Sequence, residues 1–156
     1  MSARITVSIQ QDDFDVAQLQ QQLLAGDSRE GAIATFTGYV RSSNESRSVE
    51  TMELEHYPGM TEKSIQEIIE QAVGRWPVMA ATVVHRVGKL CPSDQIVWVG
   101  VSSRHREAAF SACEFIMDYL KSKAPFWKKE LDECGAASWV DARESDDARA
   151  QRWKNP

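Results

Sequence analysis

Residues 95–131 read QIVWVGVSSRHREAAFSACEFIMDYLKSKAPFWKKEL, and this stretch decides the fold class. Three patterns follow one another. Gln95 to Ser102 is a mostly apolar run of strand length, rich in β-branched residues. From about His105 to Lys121 the apolar period becomes helical, with Phe110, Cys113, Met117 and Leu120 down one stripe and Ala109, Ala112 and Ile116 beside it. Pro125 stops that helix, because the residue before a proline is pushed out of helical geometry. Phe126 to Leu131 and Ala137 to Val140 then read as the two short strands of a hairpin. Strands and helices mix here without regular βαβ alternation, which predicts an α+β fold with helices packed on a mixed antiparallel sheet.

Working outward, Ile5 to Ile9 alternates as a half-buried strand, and Gln11 to Leu24 reads as a helix with Phe14, Val16, Leu19, Leu23 and Leu24 on its apolar face. Gly31 to Val40 is a β-rich strand that runs into the polar loop Arg41 to Ser46. Val49 to His56 alternates again, in imperfect register. Pro58-Gly59-Met60-Thr61 is a turn, with Thr61 as the N-cap of a helix carrying Ile65, Ile68, Ile69, Ala72 and Trp76, and Pro77 marks its end. Ala81 to Val87 is a strand, joined to the 95–102 strand by a turn at Cys91 to Asp94. Arg143 to Trp153 reads as a charged helical tail with Trp153 as an anchor. There is no repeat, linker or low-complexity segment, so residues 1–156 are expected to form a single domain, with 144–156 as its charged tail.

A chain of 156 residues can bury roughly two-thirds of its unfolded surface without staples. Its 42% hydrophobic and 26% charged residues are those of a globular protein. Cys91, Cys113 and Cys134 are odd in number and widely spaced, which speaks against a disulfide framework or a structural zinc site and for a reducing, cytoplasmic setting. No signal peptide is expected at the amino terminus, and no apolar run approaches the ~20 residues that span a bilayer. The net charge of −5 argues against nucleic acid as a partner. The charge is uneven, however: of seven lysines, four (Lys121, Lys123, Lys128, Lys129) fall within nine residues.

Those lysines are the densest candidate for chemistry. Lys121 closes a helix, and Lys128 sits just past the proline bend, where a strand's period of two puts Phe126, Lys128 and Glu130 on one face. The bend can bring Lys121 and Lys128 together, and crowding two ammonium groups favours a neutral, nucleophilic or proton-shuttling lysine. Glu130 works against that shift. A plain alternative stays open, in which lysines near a helix C-terminus simply complement its dipole. The second candidate is Ser102-Ser103-Arg104-His105-Arg106, at a strand-to-helix junction where backbone N–H groups attract anions. Arg106 or Arg104 could pair with a phosphate there, and His105 could supply a hydrogen bond. The third is Arg41, at a strand end. Glu53, Glu55, His56 and Tyr57 form a further polar cluster of open meaning. No GxGxxG, P-loop, GxSxG or HExxH motif is present, which removes the common dinucleotide, NTPase, hydrolase and zincin readings.

At these residues the chain resembles the large, catalytic subunit of molybdopterin synthase, the MoaE family. The resemblance is carried by Ala34 to Arg41, Leu54 to Thr61, Val83 to Gly88, Val99 to Arg106, Phe115 to Lys121, Ala124 to Glu130, and Trp139 to Asp146, in order and at matching spacing. The first thirty residues add little to it. The resemblance implies an α/β-hammerhead fold and a sulfurtransferase that converts cyclic pyranopterin monophosphate to molybdopterin in molybdenum cofactor biosynthesis. It implies a small ubiquitin-like subunit as partner, whose C-terminal Gly-Gly carries the thiocarboxylate that supplies sulfur. It also implies a homodimer that becomes a heterotetramer with two small subunits, and neither metal nor organic cofactor. The family's catalytic lysines fall on Lys121 and Lys128. Its substrate-binding positions fall on Tyr39, Val40, Arg41, His105, Arg106, Lys129 and Glu130. Tyr39 departs from the Lys expected there.

Overall fold

The computed structural model describes residues 2–44, 47–48, 51–131, 137–140 and 144–154. In chain order the elements are β1 (Arg4–Gln10), α1 (Val16–Gln22), β2 (Ala32–Tyr39), the two-residue strands β3 (Ser43–Asn44) and β4 (Arg47–Ser48), β5 (Thr51–His56), α2 (Met60–Arg75), β6 (Val78–Arg86), β7 (Gly88–Leu90), β8 (Gln95–Ser103), α3 (Arg106–Lys123), β9 (Phe126–Leu131), β10 (Ala137–Val140) and α4 (Glu144–Gln151). The fold is α+β, as the mixed pattern predicts.

Two four-stranded sheets carry it. The first has the order β1-β6-β8-β2, with β1 parallel to β6 and the other pairs antiparallel. The second, β10-β9-β5-β7, is antiparallel throughout, and β3 pairs separately with β4. The 126–131/137–140 hairpin is therefore present, with Lys128 opposite Val140.

Alternation along β8 explains how the first sheet is covered. Val97, Val99 and Val101 join Ile65, Ile69 and Ile116 in the main core, under α2 and α3. Trp98 points the other way, into a core with Leu23, Ala80 and Val84 against which Phe14, Val16 and Leu19 pack. Each fully buried aliphatic side chain in these layers is worth about 1.5–3 kcal/mol. A smaller third core, Val40, Met52, Leu54, Val87 and Leu90, joins the second sheet to the strand ends of the first.

Several expectations shift. The first helix begins at Val16 rather than Gln11, because Asp15 caps it by accepting from Gln18 N at 3.2 Å, while Gln10 Nε2 donates to the carbonyls of Asp12 and Asp13 and holds residues 11–14 outside the helix. Thr61 is not the N-cap of α2. Gly59 holds that position at φ +86°, and Glu62 accepts from its N–H at 2.9 Å. The Thr61 hydroxyl instead accepts from Tyr57 N and donates to the Pro125 carbonyl, 2.9 Å each, tying the start of α2 to the proline bend. β7 was not anticipated; at three residues it is too short for a periodic signal. Val49, Arg143 and Cys134 lie outside the described residues. Among the described residues, no helix is long and apolar enough to cross a membrane.

Candidate active site

α3 ends where Ala124 turns extended ahead of Pro125, at ψ 131°. Lys121 thus stands exposed in the last helical turn, and seven residues later Lys128 stands half-buried in β9, between Leu54 of β5 and Val140 of β10. The bend is held by the Thr61–Pro125 bond and by Phe126 N donating to Ala124 O at 3.0 Å. Lys121 and Lys128 both act electrostatically on a third residue, His85, near the end of β6. Loss of solvent, with the charges of Lys121, Lys128 and His56, pushes its imidazole down to about 3. Lys129 and Glu130 follow on β9, opposite Glu53 and Met52, and Glu130 is buried.

Lys121 also lines a cavity of about 530 Å³ between the edge strand β2 and α3, whose wall includes Phe36, Phe110, Met117, Asp118 and Arg149. Phe36 and Phe110 are 41% and 63% exposed, so part of the wall offers apolar surface to solvent, while Glu114, Asp118, Lys121 and Arg149 make the rest of it polar. Cys113 is in the wall, but burial, with the Glu114 charge, pushes its thiol up to about 12. It stays protonated at neutral pH and is no thiolate nucleophile.

The floor of the cavity is fixed from behind. Asp118 accepts from Arg152 Nη2 at 2.9 Å and from Trp153 Nε1 at 2.7 Å, and Arg152 also pairs with Glu114, which holds its guanidinium above the usual range. Trp153 meets Trp76 and Phe115 edge-on, at 5.4 and 5.5 Å between ring centroids, and Arg75 lies over all three rings. Trp153 is therefore the anchor that the tail reading expects.

The remaining candidates are placed as follows. Tyr39 is 55% exposed, at a register shift between Gly38 and Tyr39 in the β2–β8 ladder. Such an irregularity re-aims the side chain that follows it. The Val40 side chain is buried in the third core, its N–H donates to Asp94 O at 2.9 Å, and its carbonyl accepts from Ser93 N at 2.8 Å. Arg41 follows it, exposed at the strand end. His105 occupies the N-cap position of α3 without a side-chain cap bond, and Arg106 opens the helix, both exposed. Fifteen residues at 1.5 Å rise put Arg106 about 22 Å along the axis from Lys121. A single chain thus couples Lys121 and Lys128 to His85 and leaves His105 and Arg106 at the far end of α3.

Sequence reasoning did not single out His85, Phe36 or Asp118. For all three a signal existed, since each lies in a stretch that carries the family resemblance, but the partners of Asp118 come from the tail.

A family model described as MoaE protein matches residues 9–123, which includes Lys121 and stops short of Lys128. The chain is 56% identical over 148 residues to the molybdopterin synthase catalytic subunit of Vibrio cholerae, covering 95% of this chain and 97% of that one. Among solved structures, it is similar to the MoaE protein of Burkholderia ambifaria MC40-6, with a TM-score of 0.83 at 50% identity, over 97% of this chain and 99% of that one. It is also similar to molybdopterin synthase from Staphylococcus aureus, with a TM-score of 0.79 at 32% identity, over 86% and 96% of the two chains. With the family pattern matched over 115 of 156 residues (9 to 123 inclusive) and such relatives spanning nearly the whole chain, this protein belongs to the MoaE family.

Proposed function

We propose that this chain is the catalytic subunit of a molybdopterin synthase, a cytoplasmic sulfurtransferase. It would use the C-terminal thiocarboxylate of a small ubiquitin-like subunit to convert cyclic pyranopterin monophosphate to molybdopterin. The observation that carries this reading is that Lys121 and Lys128, on either side of the Pro125 bend, both act on His85, with Lys121 also in the wall of the cavity between β2 and α3. The names of the relatives point the same way.

In this reading the extended Gly-Gly tail of the small subunit enters past Phe36 and Phe110, and its thiocarboxylate sulfur comes to rest beside Lys121. The ammonium group neutralises the sulfur-bearing anion and orients it toward the pterin, and it is also the group with which an isopeptide to the tail could form. Attack by sulfur on a side-chain carbon of the pterin displaces an oxygen from that carbon, one transfer opening the phosphate ring and the other expelling water. It joins tail and substrate through a thioester, and a water molecule then releases the tail as a carboxylate, leaving the sulfur behind. A second tail repeats the step and completes the dithiolene. Lys128 donates a proton or stabilises the negative charge that builds up as the phosphate ring opens. Arg41, His105 and Arg106 hold the phosphate and pterin, with Tyr39, Lys129 and Glu130 in the pocket wall and Val40 placing Arg41. The protein acts as a homodimer with one small subunit at each end and draws on neither metal nor organic cofactor.

The test is direct. Purified protein, thiocarboxylated small subunit and the pterin precursor are mixed, and molybdopterin is followed. Product from the native chain whose rate of formation drops by about 10²-fold or more in Lys121→Ala and in Lys128→Ala supports the reading. A stable complex without product makes the chain a docking platform and overturns it.

A further inference from the structure

His85 has no part in the steps above, yet it stands where the lysines meet. Its surroundings come from six elements. On its own strand β6, Nδ1 lies 2.8 Å from the carbonyl oxygen of Arg86. A carbonyl only accepts, so Nδ1 carries the ring proton and Nε2 keeps the lone pair. From β9, Phe126 lies flat against the imidazole, with ring centroids 3.8 Å apart and planes 17° apart. Lys121 of α3, Lys128 of β9 and His56 of β5 act on it electrostatically. The neighbours across the sheet, Ile9 of β1 and Val97 of β8, bring no charge. The Arg86 guanidinium is committed to the carbonyls of Gln11 and Gln95, at 3.1 and 3.0 Å.

Phe126 is the first residue after the Pro125 bend and the first of β9. It faces His56 in the β5 register, and Lys128 is the next residue on its face of the strand. Whatever seats the Phe126 ring therefore decides where β9 starts and how far Lys128 stands from Lys121.

We propose that His85 is a positioning residue for the lysine pair: its imidazole, locked in one tautomer by Arg86 and stacked on Phe126, seats the start of β9 and so sets Lys128 relative to Lys121. A neutral ring suits this place, because a third positive charge beside two ammonium groups would push them apart. The kinetic side of the inference rests on the sulfur-transfer reading, and the tautomer and the stack rest on geometry.

The experiment follows single-turnover sulfur transfer from thiocarboxylated small subunit in His85→Ala and His85→Phe, each in the native and in the Lys128→Ala background. His85→Ala is expected to slow transfer about tenfold or more, as sub-ångström misplacements of reacting groups do, with the KM for the small subunit unchanged. His85→Phe keeps the stack and recovers most of the loss. In the Lys128→Ala background, His85→Ala has less than about a twofold effect, since a residue that acts through Lys128 loses its influence when Lys128 is gone. An equal loss in both backgrounds overturns the proposal. A second readout needs no turnover. Nitrogen-15 spectra should show His85 neutral and protonated on Nδ1 from about pH 5 to 8, and the Lys128 Cε resonance should move in His85→Ala and return in His85→Phe. A ring protonated on Nε2, a ring titrating near its ordinary pKa of about 6.5, or an unmoved Lys128 resonance overturns the proposal. Absence of product from the native chain sinks the sulfur-transfer reading instead, and the spectra then decide on His85 alone.

Discussion

Lys121 and His85 ask for different experiments, because one stands exposed at a helix end and the other is stacked against Phe126. The Lys121 ammonium group stands exposed in the last turn of α3, where its favourable interaction with the helix dipole is worth about 0.3–1 kcal/mol. Lys121→Ala is therefore expected to leave thermal unfolding within a few degrees of native while turnover drops by about 10²-fold or more. Unfolding at ordinary temperature would sink the catalytic assignment, because loss of structure would then account for the loss of rate. His85 makes stability depend on pH. Its native pKa is depressed to about 3 by loss of solvent and the nearby cations, whereas the unfolded ring keeps about 6.5. Between those values the unfolded chain binds the extra proton, so stability contributed by the neutral ring is complete above about pH 6.5 and is lost as pH falls toward 3. The loss approaches about 1.4 kcal/mol per pH unit at its steepest. Denaturant titrations between about pH 7 and 4 should show this slope in the native chain and a shallower one in His85→Phe; equal slopes would remove His85 as the cause. The lysine cluster was legible in the sequence because it is local, nine residues from first to last. His85 was not, because its neighbours arrive from 29 to 43 positions away, at His56, Lys121, Phe126 and Lys128.

Among the elements, β8 and the tail carry the strongest structural commitments. A Cβ added at Gly100 would run into the Trp98 ring and Leu23, both in the core beneath α1. Gly100→Ala is thus expected to destabilise by about 1–3 kcal/mol through overpacking, seen as a lower unfolding midpoint with an unchanged denaturant slope, and a native-like midpoint would show that the indole can move aside. The tail makes a comparable prediction with a kinetic part. Trp153→Ala removes an aromatic contact to Trp76 and Phe115 and one of the donors to Asp118, which sits one turn before Lys121 in the cavity wall. A loss of about 2–4 kcal/mol is expected, somewhat below the range for a fully buried aromatic, together with slower sulfur transfer; retained stability would show the tail to be dispensable. Long elements with strong periodicity, such as α3, α2 and β8, were legible to within three residues at either end. The start of α1 was misread because apolar Phe14 and Leu24 extend its helical period, whereas the Asp15 cap and the Gln10 side chain decide where it begins. Thr61 was misread for the converse reason. It has the right chemistry for a cap, and a glycine at positive φ took the position.

At the scale of the whole molecule, the length of α3 sets a problem that the proposed homodimer can solve. Lys121 and Arg106 share one helix and stand about 22 Å apart along it, too far for both to grip one pterin phosphate from the same chain. Resemblance reads both as site residues, and the helix expected from about His105 to Lys121 already implies this separation in the sequence. In a two-fold dimer the same patch of each protomer faces the other, and the far end of one α3 can serve the lysine pocket of its partner. Mixing two inactive variants tests this. A heterodimer of Lys121→Ala with Arg106→Ala would hold one pocket with both defects and one with neither. With random exchange, half the dimers are mixed and one of their two pockets is native, so about a quarter of native activity should return. If each pocket is built from one chain alone, every pocket in the mixture carries a defect and no activity returns. Sedimentation of the native chain as a monomer at assay concentration would exclude the shared pocket by another route, leaving His105 and Arg106 with no pocket to serve.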